Sequence, residues 1–446
     1  MPAVRPSSSP LALRSLVAGL AFCAPLGHAW AQSLQELYDA ARGYDATYLA
    51  AKATTESLVY RAAQADAGLR PQLSLAGSAT RTEADVPVLH HVYENSTQIG
   101  FNGRQPLYNK PNKVTIDQAY RTLEAGQTDL QAAEQDLVVR VSQAYFDVLG
   151  ARDTLGYSQT SKAAIAEQLA AAKRNFEVGT ATITDTREAQ ARYDLATAQE
   201  IAAQNDLQTK QAALDQLVGR FNVDPKSLAP GVDFTPLFTG SVDDWLRAGD
   251  EHPAVRKARL GLEIARLETE KAKAAGLPTV DLVGSVQSAN STGSGVSTGF
   301  PGVTNSASVG VQLNMALFAG YAIQNREKET VVLEEKARND LDSARRAVAL
   351  GTRQFFLGVQ SGQAQVKAFE AAESSNQLAL EATELGYKVG VRVNLDVLNA
   401  QTQLFQTRRD LARARYDLLV NSLKLRQASG QLKAEDLLPI NALLVR

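Results

Sequence analysis

The chain has 446 residues, a formal net charge of −2 and only 6% aromatic residues, with alanine, glutamine and leucine abundant throughout. That balance excludes a basic nucleic-acid-binding surface. It favours long helices over the aromatic-rich core of a compact enzyme.

The first 31 residues have the pattern of a secretory signal. Arg5 and Arg14 form the positive flank, "LVAGLAFCAPLG" the short apolar core, and Ala29-Trp30-Ala31 a small-x-small cleavage site. The apolar run is well short of the roughly 20 residues of a membrane-spanning helix. Cleavage after Ala31 takes the charge from −2 to −4. Cys23, the sole cysteine, lies inside this segment behind the large Phe22, which disfavours lipidation. The exported chain is therefore expected to lack thiols, disulfides and cysteine-bound metal. No later stretch has the apolar length of a spanning helix.

A helix is predicted over about 34–68, followed by two strands. In "PQLSLAGSATR" Leu73, Leu75 and Ala79 alternate with Gln72, Ser74 and Ser78; "TQIGFNGRQPLY" alternates more weakly, through Ile99 and Phe101. A very long helix is then expected over 112–174, a turn at Gly179, and a further helix ending at Gly219. The Pro- and Gly-containing stretch 220–242 reads as an irregular linker.

The same order then repeats. "FEVGTATITDTREAQ" (176–190) matches "YKVGVRVNLDVLNAQ" (387–401) at a constant offset of 387 − 176 = 211, pairing Gly179 with Gly390, Asp185 with Asp396 and Gln190 with Gln401. Upstream, Pro71, Leu75 and Gly77 match Pro278, Leu282 and Gly284 at an offset of 207. The mature chain is thus two copies of one unit, 32–219 and 243–430, with a tail over 431–446. The second copy predicts a helix over 243–275, alternating strands in "PTVDLVGSVQS" and "SASVGVQLNM", a long helix over 320–385, a turn at Gly390 and a helix to Gly430. That last helix carries a heptad row, Val397, Leu404, Leu411, Leu418 and Leu425, beside a smaller row through Ala400, Thr407 and Ala414; the first copy has Ala189, Ala196 and Ala203. This is helix-pairing core.

Strands apolar on one side and polar on the other, about ten residues long, suit a membrane β-barrel, although a soluble sheet with one wet face has the same alternation. Four such strands cannot close a barrel, because the smallest membrane barrels have about eight and no edge can stay unpaired in lipid. Membrane insertion would therefore require several chains. Each long helix spans roughly 90 Å at 1.5 Å per residue. The two short helices of a copy, laid end to end, match it, with the linker and tail near the junction, the strands at one end of the rod and the Gly179 and Gly390 turns at the other.

These motifs resemble the TolC family of outer-membrane export channels: "RNFEVGTATITD" (174–185), "LGYKVGVRVNLDVL" (385–398) and "EDLLPINALL" (435–444) are close to its patterns, and the likeness extends along the whole mature chain. One departure is the absence of a long polar tail after the final segment. The resemblance implies a mainly α fold with a small membrane β part, in which three chains build a shared barrel of twelve strands above a coiled-coil tunnel. It implies a homotrimer contacting outer-membrane lipid, docked at its periplasmic tip by an adaptor (membrane fusion) protein and an inner-membrane ABC or RND-type transporter, with no nucleic acid. A trimeric coiled-coil surface protein, such as an adhesin or filament subunit, is the competing reading; the duplicated strand pairs count against it.

No catalytic, cofactor or metal signature stands out. His90 and His91 fall in a loop between strands and His252 precedes Pro253, all three read as surface residues. "STGSGVSTGFPG" (291–302) lacks the Gly-Lys-Ser/Thr of a phosphate loop and reads as an external loop. The candidate site is the pair of turns. Gly179 and Gly390 reverse the chain. Asp185 and Asp396 suit helix capping, but the copies differ beside them: Tyr387 and Arg392 replace Phe176 and Ala181. A phenol and a cation facing Thr184 and Asp185 of the other hairpin would form a breakable lock, and the resemblance assigns such a role to these positions. Asp396, repeated by three-fold symmetry, would form a carboxylate ring favouring cations. The family commonly has a second Asp one turn on; here that position is Asn399, so the second ring would be neutral.

Overall fold

The computed structural model describes residues 32–87, 90–232, 234, 240–294 and 302–445. The signal segment, part of the linker and most of the glycine-rich loop lie outside the described residues.

The first predicted helix is two. α1 (Leu34–Tyr44) starts from a reciprocal cap in which Ser33 Oγ accepts from the Glu36 N–H and Glu36 accepts from the Ser33 N–H. It stops at Asp45, whose carboxylate accepts from the Tyr48 N–H at 2.8 Å and so starts α2 (Ala46–Asp66). Arg140 grips the same carboxylate with both Nη atoms at 2.9 Å; that bond and the backbone N–H bond hold its pKa below the usual range, against the opposing effect of burial. A side chain that satisfies the orphan amides of a new helix here outweighs continuation.

Strands β1 (Gln72–Val86) and β2 (His90–Tyr108) lead into α3 (Lys110–Glu177), which α4 (Ile183–Val218) follows after a tight turn. β2 begins earlier than expected, so His90 and His91 belong to a strand rather than a loop, with His91 Nδ1 3.1 Å from Asp85. After the two-residue strand β3 (Ser227–Leu228), the second copy again breaks its first helix, into α5 (Val242–Ala248) and α6 (Pro253–Ala274). Proline opens α6 because its missing N–H and fixed φ suit a first turn. β4 (Thr279–Gly293), β5 (Gly302–Asn314), α7 (Ala322–Lys388) and α8 (Asn394–Ala428) complete the copy, and the tail forms α9 (Leu437–Asn441) and β6 (Leu444–Val445).

The four long strands form one antiparallel sheet in the order β1-β2-β4-β5. Its register separates the faces. Leu75, Phe101, Val286 and Ala307 align across all four strands, whereas Ser74, Asn102, Ser285 and Ser308 form a parallel row on the other side. The apolar row is open to the surroundings in the single chain, and β1 and β5 are unpaired edges.

The helices form a wall. α2 and α4 pack along one side of α3, α6 and α8 lie between α3 and α7, and α7 stands at the far edge. α4 ends at Gly219 (φ 69°), where a Cβ would lie 2.5 Å from the ring of Tyr44, the last residue of α1; α8 ends before Gly430 (φ 75°), where a Cβ would lie 2.6 Å from His252 Cα at the start of α6. The short helices thus meet end to end beside the long ones. The main core lies at this level, with Leu34, Leu37 and Tyr38 packed on Leu137, Tyr145, Leu214, Leu419, Leu437 and Ile440. β3 pairs with β6 there, tying linker to tail. His252 is not a plain surface residue: its Nδ1 accepts from the Ala254 N–H at 3.0 Å, and burial lowers its pKa although the Gln427 backbone pulls the other way.

Candidate functional site at the hairpin tips

Both tips are built from the same closure. Gly179 (φ 76°) and Gly390 (φ 80°) occupy the left-handed region and have open space where a Cβ would stand, so glycine answers the backbone and not crowding. Thr180 N–H donates to the Asn175 carbonyl and Gly179 N–H to Phe176; Val391 and Gly390 repeat the pair onto Gly386 and Tyr387. Each is the paired bond set of a glycine-terminated helix.

The helices beyond start differently. Thr182 and Asp185 cap α4 reciprocally, with Asp185 Oδ2 accepting from the Thr182 N–H at 2.9 Å and from its hydroxyl at 2.8 Å. α8 has Val393 where Thr182 stands, so only Asp396 contributes, accepting from the Val393 N–H at 3.4 Å. Arg392 Nη1 lies 3.7 Å from the same carboxylate. Tyr387 reaches the other hairpin: its hydroxyl accepts from Asn175 Nδ2 at 3.1 Å. Asn399 does so as well, accepting from Arg192 Nη2 of α4 at 3.1 Å. Between these ties Leu398 is buried against α3 and α4.

The chain matches the model of the outer membrane efflux protein family over residues 37–220 and 247–431. It is 29% identical to the outer membrane protein TolC of Vibrio cholerae over 415 residues, covering 93% of this chain and 94% of that one. It is 33% identical to the alkaline protease secretion protein AprF of Pseudomonas aeruginosa over 311 residues, covering 69% and 64%. A crystal structure of CusC, 19% identical and covering 90% of this chain and 92% of that chain, superposes with a TM-score of 0.78 and so shares the fold. The chain belongs to the outer membrane efflux protein family. It is an outer-membrane export channel protein that extends into the periplasm.

In this efflux protein the candidate residues gather at one end of the rod, but their partners within one chain are not those expected. Among the described residues Tyr387 bonds Asn175, and Arg392 pairs with Asp396 of its own hairpin; neither bonds Thr184 or Asp185. Asp185 is engaged in its cap, and Thr184 is exposed. Asn175 and Arg192 escaped the sequence reading. The signal was present: at the 211-residue offset their counterparts are Gly386 and Gln403, the same kind of mismatch that singled out Tyr387 and Arg392.

A second unforeseen feature runs along α7. Leu350, Leu357, Leu378 and Leu385 are between 58% and 63% exposed, and with Ala364 and Ala371 they form an unbroken heptad row that nothing among the described residues covers.

Proposed function

We propose that three copies of this chain assemble into one passive exit duct, with a shared twelve-stranded barrel in the outer membrane, four strands from each copy, and a helical tunnel closed at the hairpin tips. The observation that carries this reading is the pair of unfilled seams. β5 and the heptad row of α7 lie at one edge of the chain, β1 with α2 and α4 at the other. A second copy placed side by side fills both seams with one interface, and the repetition closes into a ring. Closure also removes the strand edges, as lipid requires.

At the tips, Tyr387 ties the second hairpin to the first through Asn175. Arg392 and Tyr387 face Thr184 and Asp185 of a neighbouring copy and complete the lock between chains. Asp396, once per copy, supplies a ring of three carboxylates favouring cations, tempered by the Arg192 guanidinium that Asn399 holds one turn farther along α8. A periplasmic adaptor and an inner-membrane ABC or RND-type transporter dock at this end and release the lock, for drug efflux, type I protein secretion or both. The likeness to a protein named for alkaline protease secretion supports protein cargo. Purified protein in a planar lipid bilayer is expected to give discrete, stable conductance steps; repeated failure to insert would overturn the duct.

A further inference from the structure

The first turns of α8 carry a mixed set of buried side chains. Leu398 is 1% exposed and is the α8 member of an apolar cluster with Ile165, Leu169 and Ala172 of α3 and Ala189 and Ala196 of α4. Asn394, four residues earlier, and Gln401, three residues later, share its side of the helix and are 6% and 5% exposed. Among the described residues no donor reaches Oδ1 of Asn394 or Oε1 of Gln401. Both oxygens are covered within a single chain, so a neighbouring copy cannot reach them while the hairpins stay packed. A buried acceptor without a donor opposes the packing that buries it. A leucine seated in an apolar socket favours that packing. The two effects act in opposite directions on one contact.

We infer that Asn394, Leu398 and Gln401 form a counterpoised clasp between the hairpins: Leu398 holds the second hairpin to the first, and the two amides weaken that hold, leaving the tip close to balance between attached and released. The inference rests on the channel reading, in which these tips open. All three are positioning residues, acting on the geometry of the tip and not on the cargo. Release exposes both amide oxygens to water, which draws the contact apart. The clasp is uncharged, so its setting is insensitive to salt, unlike the exposed charge pairs beside it.

The clasp predicts opposite effects from neighbouring substitutions. Cys23 is the only native cysteine, so Ala189→Cys in a Cys23→Ala background places a single thiol beneath Leu398. Maleimide labelling of the detergent-solubilised protein then reports release. Gln401→Leu and Asn394→Leu are each expected to slow labelling about tenfold, and Leu398→Ala to accelerate it at least about tenfold, at low and high salt alike. Gln401→Met, closer in shape to glutamine, repeats the test should leucine fold poorly. Mean conductance in planar bilayers is expected to fall in the leucine variants and rise in Leu398→Ala. Labelling of Gln401→Leu and Gln401→Met as fast as the parent, in proteins that conduct, would overturn the clasp. Labelling that shifts as expected while no protein conducts would overturn the channel reading and leave the clasp standing.

Discussion

At the level of single residues, the differences between the two copies mark the candidate site. Tyr387 stands where Phe176 stands in the first copy, and its added hydroxyl makes the bond to Asn175. Tyr387→Phe combined with Arg392→Ser is expected to raise single-channel conductance while the three-chain species persists, each lost hydrogen bond contributing about 1 kcal/mol or less. Unchanged conductance would remove the lock and leave Asp185 as a helix cap only. Asn399→Asp would meet the Arg192 guanidinium, which neutralises much of the added charge. Block by a trivalent cation from the periplasmic side should therefore tighten only modestly in Asn399→Asp, strongly in Asn399→Asp with Arg192→Gln, and disappear in Asp396→Ala. Equal block in all of them would place Asp396 outside the pore. His252 titrates at the mid-rod junction. Its folded pKa is lowered by burial, so the unfolded chain takes up the proton first. The stability it supports is present above the ordinary histidine value of about 6.5 and is lost as pH falls from there through the lowered folded value. Thermal midpoints of wild type should drop over that window. His252→Asn, which keeps a capping side chain, should lack that component.

At the level of elements, caps decide where the rod changes helix. The sequence reads as one helix over about 34–68, yet Asp45 divides it, because its carboxylate serves a new helix N-terminus and the Arg140 fork together. Asp45→Ala removes the cap and leaves Arg140 with only its bond to Asp136. A loss of about 3 kcal/mol is expected, read as a lower thermal midpoint with helix content nearly preserved; a shift within error would show that packing alone sets the break. The tips were legible because glycine and the spacing to the next helix are local signals. The bonds across the tips were not, since Arg192 and Asn399 lie 207 residues apart in sequence.

At the level of the whole molecule, the single chain is an unfinished surface. The leucine row of α7 faces outward at helix-pairing spacing, and a half-seam of that kind implies a matching partner. Leu357→Glu with Leu378→Glu introduces charge into that seam. Cross-linking of the native protein in detergent should stop at three chains, whereas the double variant should run as one. A variant that still reaches three chains would place the seam elsewhere.

The duplication, the long helices, the strand pairs and the tip glycines were fixed by the sequence alone, because each depends on periodicity or on a backbone conformation that one residue type permits. The faces of the sheet followed too, since alternation in a strand has a period of two. Only the tertiary structure decided that Asp45 and His252 are junction residues, that β3 and β6 bind linker to tail, and that Tyr387 and Asn399 reach Asn175 and Arg192. The physical reason is the same in each case. These contacts join side chains far apart in the chain, and their partners are chosen by how two helical hairpins come to lie side by side, which no local pattern encodes.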